Sequence, residues 1–131
     1  MSYYDVSYRA MATRDVEQAR NPKAALPLTP AVFHVLLSLV DGQKHGYLIL
    51  KEVSERTDGE VELSTGTLYG IVKRLLQDGL IRESALGSTD RRRAYRLTEF
   101  GRRVASAEAE RLRDLLKSAQ AKTLLARPSG A

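Results

Sequence analysis

Apolar residues recur at helical spacing in four stretches of this chain, with short alternating segments between them. The stretch that orders the rest runs from Leu63 to Ile81. Leu68, Ile71, Val72, Leu75 and Leu76 fall on one helical face. Ser64 precedes them as an N-cap, able to accept a hydrogen bond from the first-turn amides. Gly79 supplies the left-handed residue that commonly ends a helix. The pattern predicts a helix over 64–78. Its other face carries Thr65, Thr67, Tyr69, Gly70, Lys73, Arg74 and Gln77. That face is small at its start, able to donate hydrogen bonds, and positive, the properties of a helix that enters a major groove.

Two helices are expected before it. Thr29-Pro30 opens the first, with Thr29 as cap and Pro30 where no hydrogen bond is lost. Phe33, Leu36, Leu37 and Val40 form one stripe and Val32, Val35 and Leu39 a second. A helix apolar nearly all round is buried on more than one side, which points to a subunit interface. Asp41-Gly42 is expected to end it. After His45-Gly46-Tyr47, a helix to about Thr57 turns Ile49, Leu50 and Val53 inward and Lys51, Glu52, Glu55 and Arg56 outward. Asp58-Gly59 marks a turn, and Val61-Glu62-Leu63 alternates like a very short strand.

Two strands and a long helix are expected after it. Leu80 to about Ala85 reads as a strand, Leu86 to Asp90 as a loop with turn chemistry, and Arg91 to Leu97 as the returning strand. The result is a hairpin whose tip and return carry consecutive arginines. Thr98 caps the last helix, and Glu99 in its first turn suits the helix dipole. This helix is expected to reach about Lys122. Ala105, Ala109, Leu112, Leu116 and Ala119 make a short a/d seam broadened by Leu115, which predicts dimerisation. The four parts are a tail over 1–27, a DNA-binding unit over 28–98, a dimerisation helix over 99–126 and a frayed tail over 127–131. The first tail holds Tyr3, Tyr4 and Tyr8 and a short helix over Asp15–Arg20. Disorder when free is expected of it; the alternative is an arm that packs on a partner or touches DNA through Arg9, Arg14 and Arg20.

Composition narrows the chemistry. The chain has 131 residues, no cysteine, and a net charge of +5 with a pI near 9.7. Disulfides and thiolate metal sites are excluded, and a basic balance favours a polyanionic partner. No apolar run reaches the roughly 18 residues of a membrane span, and Met1 to Ala10 lacks the apolar core of a signal peptide. A cytoplasmic protein is expected. His34 and His45 are the two histidines, without acidic partners at metal spacing. No nucleophile–base pair and no glycine-rich phosphate loop can be named, so neither an enzyme nor a cofactor is expected.

The order helix, helix, helix, strand, loop, strand, helix is that of a winged helix-turn-helix: mainly α with a small β-hairpin, plus a long C-terminal dimerisation helix. At this level His45-Gly46-Tyr47, Leu63 to Tyr69, Arg74-Leu75, Gly79-Leu80-Ile81 and Asp90 to Gly101 resemble the PadR family of bacterial transcriptional regulators, over roughly Leu28 to Gly101. The resemblance implies a dimeric winged-helix DNA-binding protein, usually a repressor. The short C-terminal region resembles the subfamily in which one long helix mediates dimerisation. By that analogy Tyr47, Ser64, Thr65, Thr67, Tyr69 and Lys73 face DNA, and Arg91, Arg92 and Arg93 serve the wing.

Several residues have two readings. Tyr47 either meets a phosphate at a helix start or braces the recognition helix. Gly70 either lets the helix sit close to the groove or packs against a neighbour. Arg74 either faces the partner or pairs with Glu52 or Glu55. The function expected is a dimeric repressor reading a near-palindromic double-stranded operator. Helix 64–78 would lie in the major groove, and the 84–93 wing on the backbone or minor groove. A small-molecule effector could switch the protein from a cavity between the dimerisation helices and the winged core, lined by Phe33, Leu37, Leu112 and Leu116; the alternative is that these residues simply fill the core. Phe33 and Leu37 join the helical seam in the expected dimerisation surface. The alternative is a winged-helix protein-interaction module with weak or no specific DNA binding.

Overall fold

A computed structural model describes residues 20–84 and 93–127. The tyrosines and most of the arginines of the first tail, the loop 85–90, Arg91, Arg92 and residues 128–131 lie outside them. Within the described residues the chain forms a short 3-10 helix (Pro22–Ala25) and seven further elements. These are α1 (Pro30–Ser38), β1 (Lys44–His45), α2 (Gly46–Arg56), α3 (Thr65–Gln77), β2 (Ile81–Glu83), β3 (Ala94–Leu97) and α4 (Glu99–Ala121).

Three of the four α-helices start on the caps expected from sequence. Thr29 Oγ1 accepts the amide of Val32 at 3.2 Å, Ser64 Oγ that of Thr67 at 3.1 Å, and Thr98 Oγ1 that of Gly101 at 2.9 Å. Each satisfies one donor that the first turn would otherwise leave bare. α2 follows His45, whose side chain makes no cap bond.

The ends differ more from expectation. α1 stops at Ser38 instead of continuing to Asp41-Gly42. Side chains take its last carbonyls: Ser38 Oγ donates to His34 O at 3.0 Å, Arg56 Nη1 donates to the same oxygen at 3.2 Å, and Lys44 Nζ donates to Ser38 O. Val61-Glu62-Leu63 is not a strand. The Val61 amide donates to Thr57 Oγ1 at 3.0 Å, so the segment closes the turn after α2 instead of pairing. Asp58 and Gly59 take positive φ values of 52° and 79° in that turn.

The expected two-stranded hairpin is a three-stranded antiparallel sheet in the order β1-β3-β2. β1 pairs Lys44 with Tyr95 and His45 with Ala94. β2 pairs Ile81 with Leu97, Arg82 with Arg96 and Glu83 with Tyr95. The core joins Val35, Leu36 and Leu39 of the α1 region to Ile49 and Val53 of α2. It continues through Leu68, Val72 and Leu75 of α3 to Tyr95 of β3 and Val104 of α4. Leu26 and Leu28 pack on it from the side, so the segment just before α1 adds to the folded unit. Beneath that segment Glu108 is buried, 2% exposed. Its carboxylate takes Arg111 Nε at 2.6 Å and Nη2 at 2.8 Å.

A polar network ties α1, β1 and α2 into one body. Lys44 is buried and bonds Ser38 O, Asp41 and, at 3.3 Å, Glu52. Burial alone would lower its pKa, but the hydrogen bonds to Asp41 and Glu52 outweigh that and raise it. Arg56 adds a bond to Ser38 Oγ at 3.0 Å. His34, beside it, is held below the usual histidine value by burial and then by the Arg56 charge.

Gly101 is required at the start of α4. A Cβ there would overlap the carbonyl oxygen of Leu80 and come within 2.8 Å of its carbonyl carbon. The neighbouring atoms are backbone and have no room to yield.

Candidate nucleic-acid interface

α3 runs over Thr65–Gln77, with Ser64 as N-cap, Asp78 as C-cap and Gly79 at φ 76°. Its buried face is Leu68, Val72 and Leu75, with Ile71 and Leu76 half-buried. The remaining face is exposed and carries Thr65, Gly66, Thr67, Tyr69, Gly70, Lys73 and Arg74. Lys73 is exposed and makes no hydrogen bond or ion pair with another described residue. The first turn is self-contained: Ser64 Oγ donates to Thr67 Oγ1 at 2.9 Å while accepting the Thr67 amide. Ser64 therefore has a capping role whatever else it meets, and the Thr67 hydroxyl keeps its own proton for another acceptor.

Tyr69 and Tyr47 play different parts. Tyr47 is 78% exposed at the start of α2. Tyr69, 44% exposed, lies across the start of α2 instead. A Cβ on Gly46 would sit 2.7 Å from its hydroxyl oxygen and 3.1 Å from the ring carbon bearing it. Gly46 thus leaves room for the tip of the Tyr69 ring and sets how closely α3 approaches α2. Because α2 lacks a side-chain cap, its first amides, beside Tyr47, remain available to an anion. A Cβ on Gly70 would meet nothing within 4 Å among the described residues, so none of them gives a packing reason for that glycine. Arg74 pairs with neither Glu52 nor Glu55. Glu52 is taken by Lys44 at 3.3 Å and Arg56 at 3.9 Å, and Glu55 approaches Lys51 at 4.0 Å.

On the wing side, Arg93 is exposed and pairs with Glu83 at 3.3 Å; Arg91 and Arg92 lie outside the described residues. The pairing register reveals two cations that sequence reasoning did not single out together. Arg82 and Arg96 stand opposite each other on β2 and β3. Both are exposed, and no acid pairs with either among the described residues. Like charges directly opposed weaken a sheet, a cost that a polyanion would relieve. Only the register could have revealed the pair, because the two residues are far apart in sequence.

The expected dimer residues divide. Ala105 is buried in the chain's own core, and Phe33 and Leu37 are half-buried. Ala109 is exposed and Ala119 half-buried, while Leu112, Leu115 and Leu116 are 40%, 54% and 43% exposed. A groove of about 930 Å³ opens between the 22–28 segment and α3, floored by Leu28, Val32, Ile71 and Phe100. None of Phe33, Leu37, Leu112 and Leu116 lines it. Among the described residues no group of three or more His, Cys, Asp or Glu is placed to hold a metal, and no helix is long and apolar enough to cross a membrane.

An exposed helix with a positive face, mounted on α2 and flanked by a small antiparallel sheet, defines a winged-helix protein of the kind that regulates transcription. Residues 35–107 match the model of the transcriptional regulator PadR-like family; the chain belongs to that family. A PadR family transcription regulator from Clostridium difficile R20291 superposes with a TM-score of 0.60 at 28% identity, covering 74% of this chain and 100% of that one. A transcriptional regulator from Clostridium thermocellum, Cth-833, gives 0.59 at 28% identity, covering 70% and 87%. By sequence, an uncharacterized protein X of Lysinibacillus sphaericus is 29% identical over 75 residues, 55% of this chain and 68% of that protein. The family and these structures are regulators and not enzymes.

Proposed function

We propose that this regulator is a cytoplasmic homodimeric repressor that reads a near-palindromic operator, with one α3 in the major groove of each half-site. The observation that carries the reading is the exposed face of α3. It has small and hydroxyl-bearing residues in its first turn, an exposed Lys73 about two turns in, and no described element over it. In this reading Thr65 and Thr67 meet base edges, Tyr69 and Lys73 the backbone, and Tyr47 a phosphate at the start of α2. The wing, through Arg91, Arg92 and Arg93, with Arg82 and Arg96 at its base, lies along the backbone or minor groove. Dimerisation uses the α4 seam, and a small-molecule effector that releases the protein would act at the junction of that seam with the winged core.

The test is selection of duplexes from random-sequence DNA by the purified protein, followed by binding at graded salt. The expected product is an inverted repeat with half-sites about one helical turn apart, bound with a steep inverse salt dependence. Selection of no sequence over competitor DNA at moderate salt would reject the reading in favour of a protein-interaction module.

A further inference from the structure

The end of α3 and the start of α4 are fastened by a junction that is largely backbone. Thr98 Oγ1 donates to Gly79 O at 2.6 Å, and the Thr98 amide donates to Leu80 O at 3.0 Å. The same hydroxyl oxygen accepts the Gly101 amide at 2.9 Å, so one side chain both caps α4 and tethers the residue that terminates the recognition helix. Gly101 has no side chain and lies directly against the Leu80 peptide, where a Cβ would overlap it. Two hydrogen bonds and a backbone-to-backbone contact leave this joint little room to rock.

We propose that Thr98 is a positioning residue for operator reading. Its tether to Gly79, together with the bare Gly101 contact, fixes the direction of α4 relative to α3 and so sets the half-site spacing that the dimer accepts. The inference rests on the dimeric reading above. From Thr98 to Leu116 the helix extends roughly 27 Å. A tilt of about 7° at the joint therefore moves the seam by about 3.3 Å, close to the ~3.4 Å rise of one base pair. A loose joint would accept operators one base pair longer or shorter, whereas a fixed one rejects them. The joint lies beside neither bases nor phosphates in this reading, so its effect is on geometry rather than contact.

Thr98→Asp separates the two roles of the side chain. A carboxylate still accepts the Gly101 amide but has no proton to donate to Gly79 O, so the cap survives and the tether is lost. Thr98→Ser keeps both. The chain has no cysteine, so Gln77→Cys and Lys117→Cys, both exposed, take spin labels at two chosen points only. Labelled protein is diluted with unlabelled protein, and the distance distribution within one chain is measured by pulsed electron resonance. The distribution is expected to be narrow in the parent and in Thr98→Ser, and broadened in Thr98→Asp. In parallel, a duplex selected by the parent protein is compared with versions carrying one base pair more or fewer at the centre. The parent and Thr98→Ser should lose tenfold or more in affinity on the altered spacings, and Thr98→Asp less than threefold. An unchanged distribution in Thr98→Asp, or a uniform loss of affinity on all spacings, overturns the proposal. A broadened distribution in a protein whose parent form selects no DNA leaves the joint standing and rejects the operator reading instead.

Discussion

Glu108 illustrates what a single residue contributes. An acid three positions before an arginine on a helix usually makes a solvated pair of little consequence. Here the chain from Asn21 to Leu28 folds across it, and the carboxylate holds Arg111 through two hydrogen bonds. Hydrogen bonding to Arg111 outweighs the opposing effect of burial and keeps its pKa below the ordinary glutamate value. A depressed folded-state pKa stabilises the fold fully above the unfolded value, and that contribution fades as pH falls through the folded value. Urea unfolding should therefore show a component lost below about pH 4.3 that is absent in Glu108→Gln. Glu108→Ala should cost about 2 kcal/mol, less than a fully buried pair would, because the partly exposed Arg111 can rehydrate. An unchanged acid limb in Glu108→Gln would show that other carboxylates govern it.

At the scale of elements, α3 is where sequence and structure agree most closely. Helical spacing, the Ser64 cap and Gly79 predict 64–78, and the helix occupies Thr65–Gln77 between those same caps. All of that information is local. β1 is the opposite case: Lys44-His45 is too short to carry a period and exists because β3 pairs with it. Val61–Leu63 has the period but no strand beside it. The Lys73 reading belongs to this scale. Lys73→Ala should weaken binding to the selected duplex and to a scrambled one alike, and flatten the dependence of log affinity on log salt by about 0.9. Anisotropy titrations at several salt concentrations check this, and a changed base preference would mean that Lys73 reads bases.

At the scale of the molecule, α4 outruns its own core. Its buried residues are Gly101, Val104, Ala105 and Glu108, and the stretch 109–121 extends roughly 20 Å further. Leu112, Leu115 and Leu116 lie along this overhang with no cover from the described chain, the kind of apolar patch that marks an interface. Leu112→Glu with Leu116→Glu should yield monomers in sedimentation. Each buried leucine is worth about 1–2 kcal/mol, so the dimer constant should weaken by at least about a hundredfold. A dimer that survives this change would place the interface elsewhere.

The chain's residues by themselves determine the helices, their caps, the arginine-bearing return and the kinship to a regulator family. These follow from bonds and periodicities within a few residues of one another. The tertiary structure decides what depends on distant neighbours: the third strand, the burial of Glu108 and Ala105, and the Gly46 contact that seats Tyr69. It also decides which cations stand without acids, because the Arg82–Arg96 opposition depends on strand register, and the partners of Glu52 depend on how α1 and α2 pack.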